Sequence, residues 1–168
     1  MELITIIKET IREYLNEGVN NKEFIAYHSS YSKIDNFDFD KIEIKPNSST
    51  RIDALFFSDT PQNSWGNYLY KVKIISKNPA IFDLSKSRFD SLGVQEAFDA
   101  LLRGETSYII DDLIEYGGME YEEAENLAEE WRGLDLIVIE NQVYAKHNIE
   151  YIVPDPYYNG KSAKIIIL

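Results

Sequence analysis

Residues 94–133 gather most of the chain's helical spacing and most of its charge into one block, and the segments on either side of it read as strands. The block holds three periodic stretches, 95–102, 108–116 and 122–131, the last two parted by Gly117-Gly118. It carries 12 acidic residues against 2 basic ones, Arg103 and Arg132, a net of −10 out of −12 for the whole chain. Before it, residues 23–28, 54–57 and 68–75 have strand character; in the third, Tyr70, Val72 and Ile74 alternate with Lys71 and Lys73. After it, 136–139, 151–153 and 164–168 are β-branched runs bounded by Asn, Pro and Gly. The sequence therefore predicts an α+β fold in which strands enclose a block of helices, over 168 residues that suit a single domain.

Further elements are expected outside that frame. Leu3, Ile7, Ile11 and Leu15 recur every four positions and predict an amphipathic N-terminal helix that covers a sheet. Residues 41–45 read as a short strand inside an irregular stretch. Asp59-Thr60-Pro61 has the composition of a helix start, because Asp or Thr accepts otherwise unpaired amide hydrogens and Pro fits the first turn.

Composition removes several functional classes. A net charge of −12 repels phosphate backbones and anionic membranes, so direct nucleic-acid or membrane binding is not expected. With no cysteine and two histidines there are no disulfides, thiolate zinc sites or cysteine nucleophiles, and no metal is expected. Asp35, Asp38 and Asp40 lack the glycine and the distal Glu of a calcium loop. No apolar run reaches the roughly 18 residues of a membrane span. The start, Met-Glu-Leu-Ile, does not read as a signal peptide, and a cytoplasmic protein is the expectation. Phosphate-binding glycine loops, nucleophile elbows and zinc-helix motifs are also missing.

What remains is three strand ends that carry polar or aromatic groups: Tyr27-His28-Ser29-Ser30, Leu55-Phe56-Phe57-Ser58-Asp59 with Tyr68 downstream, and Asn148-Ile149-Glu150-Tyr151-Ile152-Val153-Pro154-Asp155. In this order they resemble the ADP-ribosyltransferase superfamily of the diphtheria-toxin and poly(ADP-ribose)-polymerase type. The matched segments cover about a quarter of the chain, a share that leaves fold and site to be judged from structural context; the helical block matches nothing in the family. In size and acidic content the chain also looks similar to small phage-borne and mobile-element members, some anti-CRISPR proteins among them.

The resemblance implies a split β-sheet core with an N-terminal helix and an inserted acidic helical pair, two sheet halves facing each other across a cleft for NAD. It implies mono-ADP-ribosyl transfer from NAD to a protein, with release of nicotinamide and no metal. Glu150 takes the catalytic position and His28 that of the ribose ligand. The backbone of Ser29 would hold the nicotinamide amide, Phe56 and Phe57 would line the pocket, and Tyr68 would stack on nicotinamide. Ser64 or Trp65 lies near the place of an amide-binding hydroxyl, and Arg51 is placed to pair with the NAD phosphates.

Two positions depart from the pattern. Ser29 replaces the family's glycine and Phe56 its second-strand tyrosine, which keeps an aromatic surface and loses a hydroxyl. Asn148 stands where arginine-directed relatives carry a second Glu, so an arginine acceptor is not implied. The acidic block supports an alternative function, a nucleic-acid-mimicking inhibitor or binding protein that occupies a basic groove on a partner. As a docking surface it would equally select a target protein with a basic face.

Overall fold

The structure is a computed structural model, and it describes residues 21–39, 54–62, 66–86, 88–142, 148–156 and 161–168. The expected N-terminal helix, the strand at 41–45, and Arg51, Ser64 and Trp65 lie outside the described residues. Seven strands are described: β1 (Lys22–Ser30), β2 (Ala54–Ser58), β3 (Tyr68–Ser76), β4 (Pro79–Asp83), β5 (Leu136–Glu140), β6 (Glu150–Pro154) and β7 (Lys164–Ile167). The helices between β4 and β5 are α1 (Ser91–Leu102), α2 (Thr106–Glu115) and α3 (Tyr121–Glu130). None of them is long and apolar enough to cross a membrane.

The strands form one sheet in the order β4-β5-β6-β2-β1-β3-β7. Every neighbouring pair is antiparallel except β4 and β5, which run parallel from Pro79↔Leu136 to Asp83↔Glu140. Two separate facing halves are therefore not what forms. Instead β1 and β2 join through a single registered pair, Tyr27↔Ser58, whereas β1 and β3 pair along nine residues. The main-chain register between β1 and β2 is confined to that one pair, and beside it the His28 side chain takes over the link to the Phe56 carbonyl.

Strand alternation sends side chains to two cores. Ala54, Phe82, Ile137, Ile139 and Ile152 face the helices and meet Val94, Phe98, Ile109, Leu113 and Trp131. The opposite face buries Ala26, Phe57, Val72, Ile74, Leu136, Val138, Tyr151 and Val153. β5 feeds both, so its residues 136–139 are all buried. Trp131, 2% exposed, stacks on Phe98 with ring centroids 4.1 Å apart and locks the end of α3 against α1. Dispersion over such fully buried rings is what holds a helical layer to a sheet.

Local signals explain the helix ends. The Asp90 carboxylate accepts from the Gly93 amide at 2.7 Å and caps α1. α2 ends where Gly118 takes φ +70° and the Met119 amide turns back onto the Leu113 carbonyl. The block is a trio of helices, as its three periodic stretches predict, where the resemblance implies a pair, and its inner face supplies half of one core. No helix begins at Asp59-Thr60-Pro61 among the described residues 59–62. The groups that would start it are used elsewhere: the Asp59 carboxylate accepts the Asn148 amide at 3.1 Å, its amide donates to the Ile149 carbonyl, and Ser58 Oγ donates to the Thr60 carbonyl.

At the far end of the sheet Asp135, 5% exposed, anchors the β3–β4 turn. Its carboxylate accepts Ser76 Oγ at 2.5 Å and the amides of Lys77 and Asn78 at 2.8 and 3.1 Å. A buried carboxylate is tolerated when its oxygens are filled in this way.

Candidate functional site

The three motif segments meet where β1 joins β2. Tyr27, Ser58 and Glu150 lie side by side on β1, β2 and β6, through the pairs Tyr27↔Ser58 and Ser58↔Glu150. Toward the end of β1, His28 stands opposite Tyr70 and Ser30 opposite Tyr68. The first residue of β6, the last of β2, the end of β1 and the start of β3 therefore gather at one end of the sheet.

Their side chains divide between the faces. Tyr27, Ser29, Phe56, Ser58 and Glu150 share the helix side by register, and Phe56 packs on the helical core. His28, Phe57 and Tyr68 point to the other side, where the His28 ring lies 5.4 Å from Phe57 and 5.2 Å from Phe37. The expected gathering of His28, Tyr68 and Glu150 on one surface is absent, because a period of two sends Tyr27 and His28 to opposite faces. The two groups share the end of the sheet but not a face.

His28 bridges β1 and β2 beside the Tyr27–Ser58 pair. Its Nδ1 lies 2.7 Å from the Phe56 carbonyl oxygen, a group that main-chain pairing with β1 does not use. A carbonyl only accepts, so Nδ1 carries the proton and Nε2 is left with a bare lone pair in the neutral ring. Burial holds the His28 pKa below its ordinary 6.5, partly offset by the bond to Phe56. At neutral pH the residue is thus an uncharged acceptor suited to a hydroxyl group.

Tyr68 is 46% exposed. The loop before it is pinned by Gly66, which has φ +138° and lies directly against the backbone of Ser30 and Tyr31, where no Cβ would fit. Ser29 and Ser58 are each 8% exposed, so both line buried backbone where β1 joins β2.

Glu150 is half-buried. Its Oε2 accepts Gln95 Nε2 from α1 at 3.0 Å and Gln142 Nε2, two residues past β5, at 3.3 Å. Both glutamines are 8% exposed. Neither belongs to a motif, and sequence reading passes over them. The one available signal is that Gln95 directly follows Val94 at the start of the apolar stripe of α1.

The outer face of the helical block is acidic in three dimensions as well. Glu115, Glu120, Glu122, Glu123, Glu125 and Glu130 are exposed. Both arginines of the block are paired inside it, Arg103 with Asp99 at 2.6 Å and Arg132 with Glu129 at 3.2 Å. Burial and the like charges of Glu115, Glu96 and Asp111 push the Asp112 pKa up.

No protein family matches the chain, and no curated protein matches it. Among solved structures, the crystal structure of an anti-CRISPR protein aligns with 87% of this chain and 96% of its own, at 16% identity and a TM-score of 0.38.

Proposed function

We propose that the chain is an NAD-dependent mono-ADP-ribosyltransferase that modifies a protein. The observation that supports this reading is the meeting of three sequence-distant strand ends around the one pair, Tyr27↔Ser58, that joins β1 to β2. With Glu150 on one face and His28 on the other, the dinucleotide would have to wrap the end of the sheet where these strand ends gather instead of lying on either surface. There His28 Nε2 accepts from a ribose hydroxyl, and the Tyr68 ring offers a face to nicotinamide.

Breaking the bond between nicotinamide and the anomeric carbon sends the electron pair to the pyridine nitrogen and leaves positive charge on the sugar. In this reading the Glu150 carboxylate faces that charge, an acceptor group of the target attacks the anomeric carbon to form the new glycosidic bond, and its proton passes to solvent. Losing one well-placed electrostatic group costs about 10²–10³ in rate in comparable sites. Wild type should therefore release nicotinamide and add one ADP-ribose to a partner in intact-mass analysis, and Glu150→Gln should do neither at a measurable rate. Release that persists undiminished in Glu150→Gln, or no release with any partner, refutes the proposal.

The exposed carboxylates of the helical layer, among them Glu115, Glu120, Glu122, Glu123, Glu125 and Glu130, favour a second reading, in which that layer docks a basic protein surface and acts by occupying it. Tight, salt-sensitive binding of a basic partner without NAD consumption would support it alone. Transfer to that same partner would join the two readings.

A further inference from the structure

We propose that Gln95 and Gln142 are positioning residues for Glu150, acting together as a clamp on its carboxylate; this rests on the transferase reading above. Two amide groups arrive from separate elements, the start of α1 and the segment after β5, and both donate to the same oxygen, Oε2, at 3.0 and 3.3 Å. Donation fixes each amide's orientation, since a carboxylate offers only acceptors. Two donors converging on one oxygen favour a single rotation of the carboxylate about its last bond, because turning it away would give up both contacts to amides on residues only 8% exposed.

The clamp gives the helical block a place in the chemistry. Glu150 is the first residue of β6, its backbone registered with Ser58 of β2 on one side and Ile139 of β5 on the other, and its half-buried side chain still has rotational freedom to lose. Gln95 removes that freedom from the helical layer and Gln142 from the segment after β5. The reacting charge on the sugar develops at one position, so an anion that wanders by an ångström loses much of its effect, by about 10²-fold in well-studied enzymes. In this proposal Gln95 and Gln142 act through the carboxylate.

The test is steady-state nicotinamide release by Gln95→Leu, Gln142→Leu and the double variant, with side-chain amide NMR of the wild type and of Glu150→Ala. Each single variant should lower kcat by about 10-fold with KM for NAD within about twofold, and the double variant should approach the loss in Glu150→Gln. The Nε2 amide signals of Gln95 and Gln142 should both move in Glu150→Ala, while that of Gln62, whose Nε2 donates to Thr60 Oγ1, stays in place. Kcat unchanged in both single variants, or a loss confined to KM, overturns the clamp. If Gln95→Leu fails to fold, Gln142→Leu and the amide spectra carry the decision. Should wild type release no nicotinamide, the transferase reading falls and the amide signals alone settle the clamp: joint movement upholds the contact, and immobility removes it.

Discussion

Replacing Gly66 by Ala probes how the loop ahead of β3 is fastened to the end of β1. The new methyl group would overlap the backbone of Ser30 and Tyr31, which cannot swing aside as a long side chain does. At φ +138° an L-residue also carries strain, of order 1–3 kcal/mol. Overpacking adds about 1–3 kcal/mol more, so the native arrangement should lose roughly 2–6 kcal/mol. The chain has two ways to respond. It can keep the contact and lose that much global stability, or it can let the loop peel from β1, which limits the loss to the free energy of the local opening. Urea denaturation separates these outcomes from no effect, and amide exchange at Leu69 and Tyr70 separates them from each other. If the loop peels, the Tyr68 ring moves with it, and KM for NAD should rise more than kcat falls. A variant with an unchanged urea midpoint and unchanged exchange would refute the reasoning, since it would mean the close approach carries no load.

His28 should titrate with a midpoint below 6.5, followed through its ring protons by NMR. Because its folded pKa is lowered, the unfolded chain binds more protons as pH falls from 6.5 toward that value. Stability from this group is complete above 6.5, declines across the window, and the decline should vanish in His28→Gln; a midpoint at or above 6.5 counts against the buried neutral ring. Asp112→Asn should stabilise the protein at pH 7 and low salt by about 0.3 kcal/mol, the scale of like-charge pairs on helices. The raised pKa of Asp112 means its charge opposes folding at neutral pH and ceases to do so below the unfolded value of 3.8, so the gain should disappear there. Equal urea midpoints for the two proteins at low salt would contradict the crowding.

Much of the architecture is legible in the sequence because its signals are local. Alternation in β3, the β-branched runs of β5 and β7, and the Gly117-Gly118 break all act within a few residues, and each is where the pattern puts it. β4 escapes notice because it is five residues long, opens with Pro79 and pairs in parallel with a strand more than fifty positions later. The site divides in the same manner. Motif order brings the strand ends of His28 and Glu150 to one end of the sheet, yet the face that each side chain takes follows from a single cross-strand pair, Tyr27↔Ser58, that no local pattern announces. Gln95 reads as an ordinary helix-surface residue until its amide is seen to donate to Glu150, 55 positions away.

The parallel pairing of β4 with β5 has an evolutionary consequence for the acidic block. Two strands side by side and running in the same direction cannot be linked by a tight turn; the chain must travel back the full length of the first before starting the second. Here that return journey is α1, α2 and α3. Excising them would force β4 to reverse or detach, and would open Phe82, Ile137 and Ile152 to water at about 25 cal/mol for each Å² uncovered. The carboxylates on the outside can thus drift with whatever they meet, while the segment that bears them can be neither gained nor discarded as a cassette.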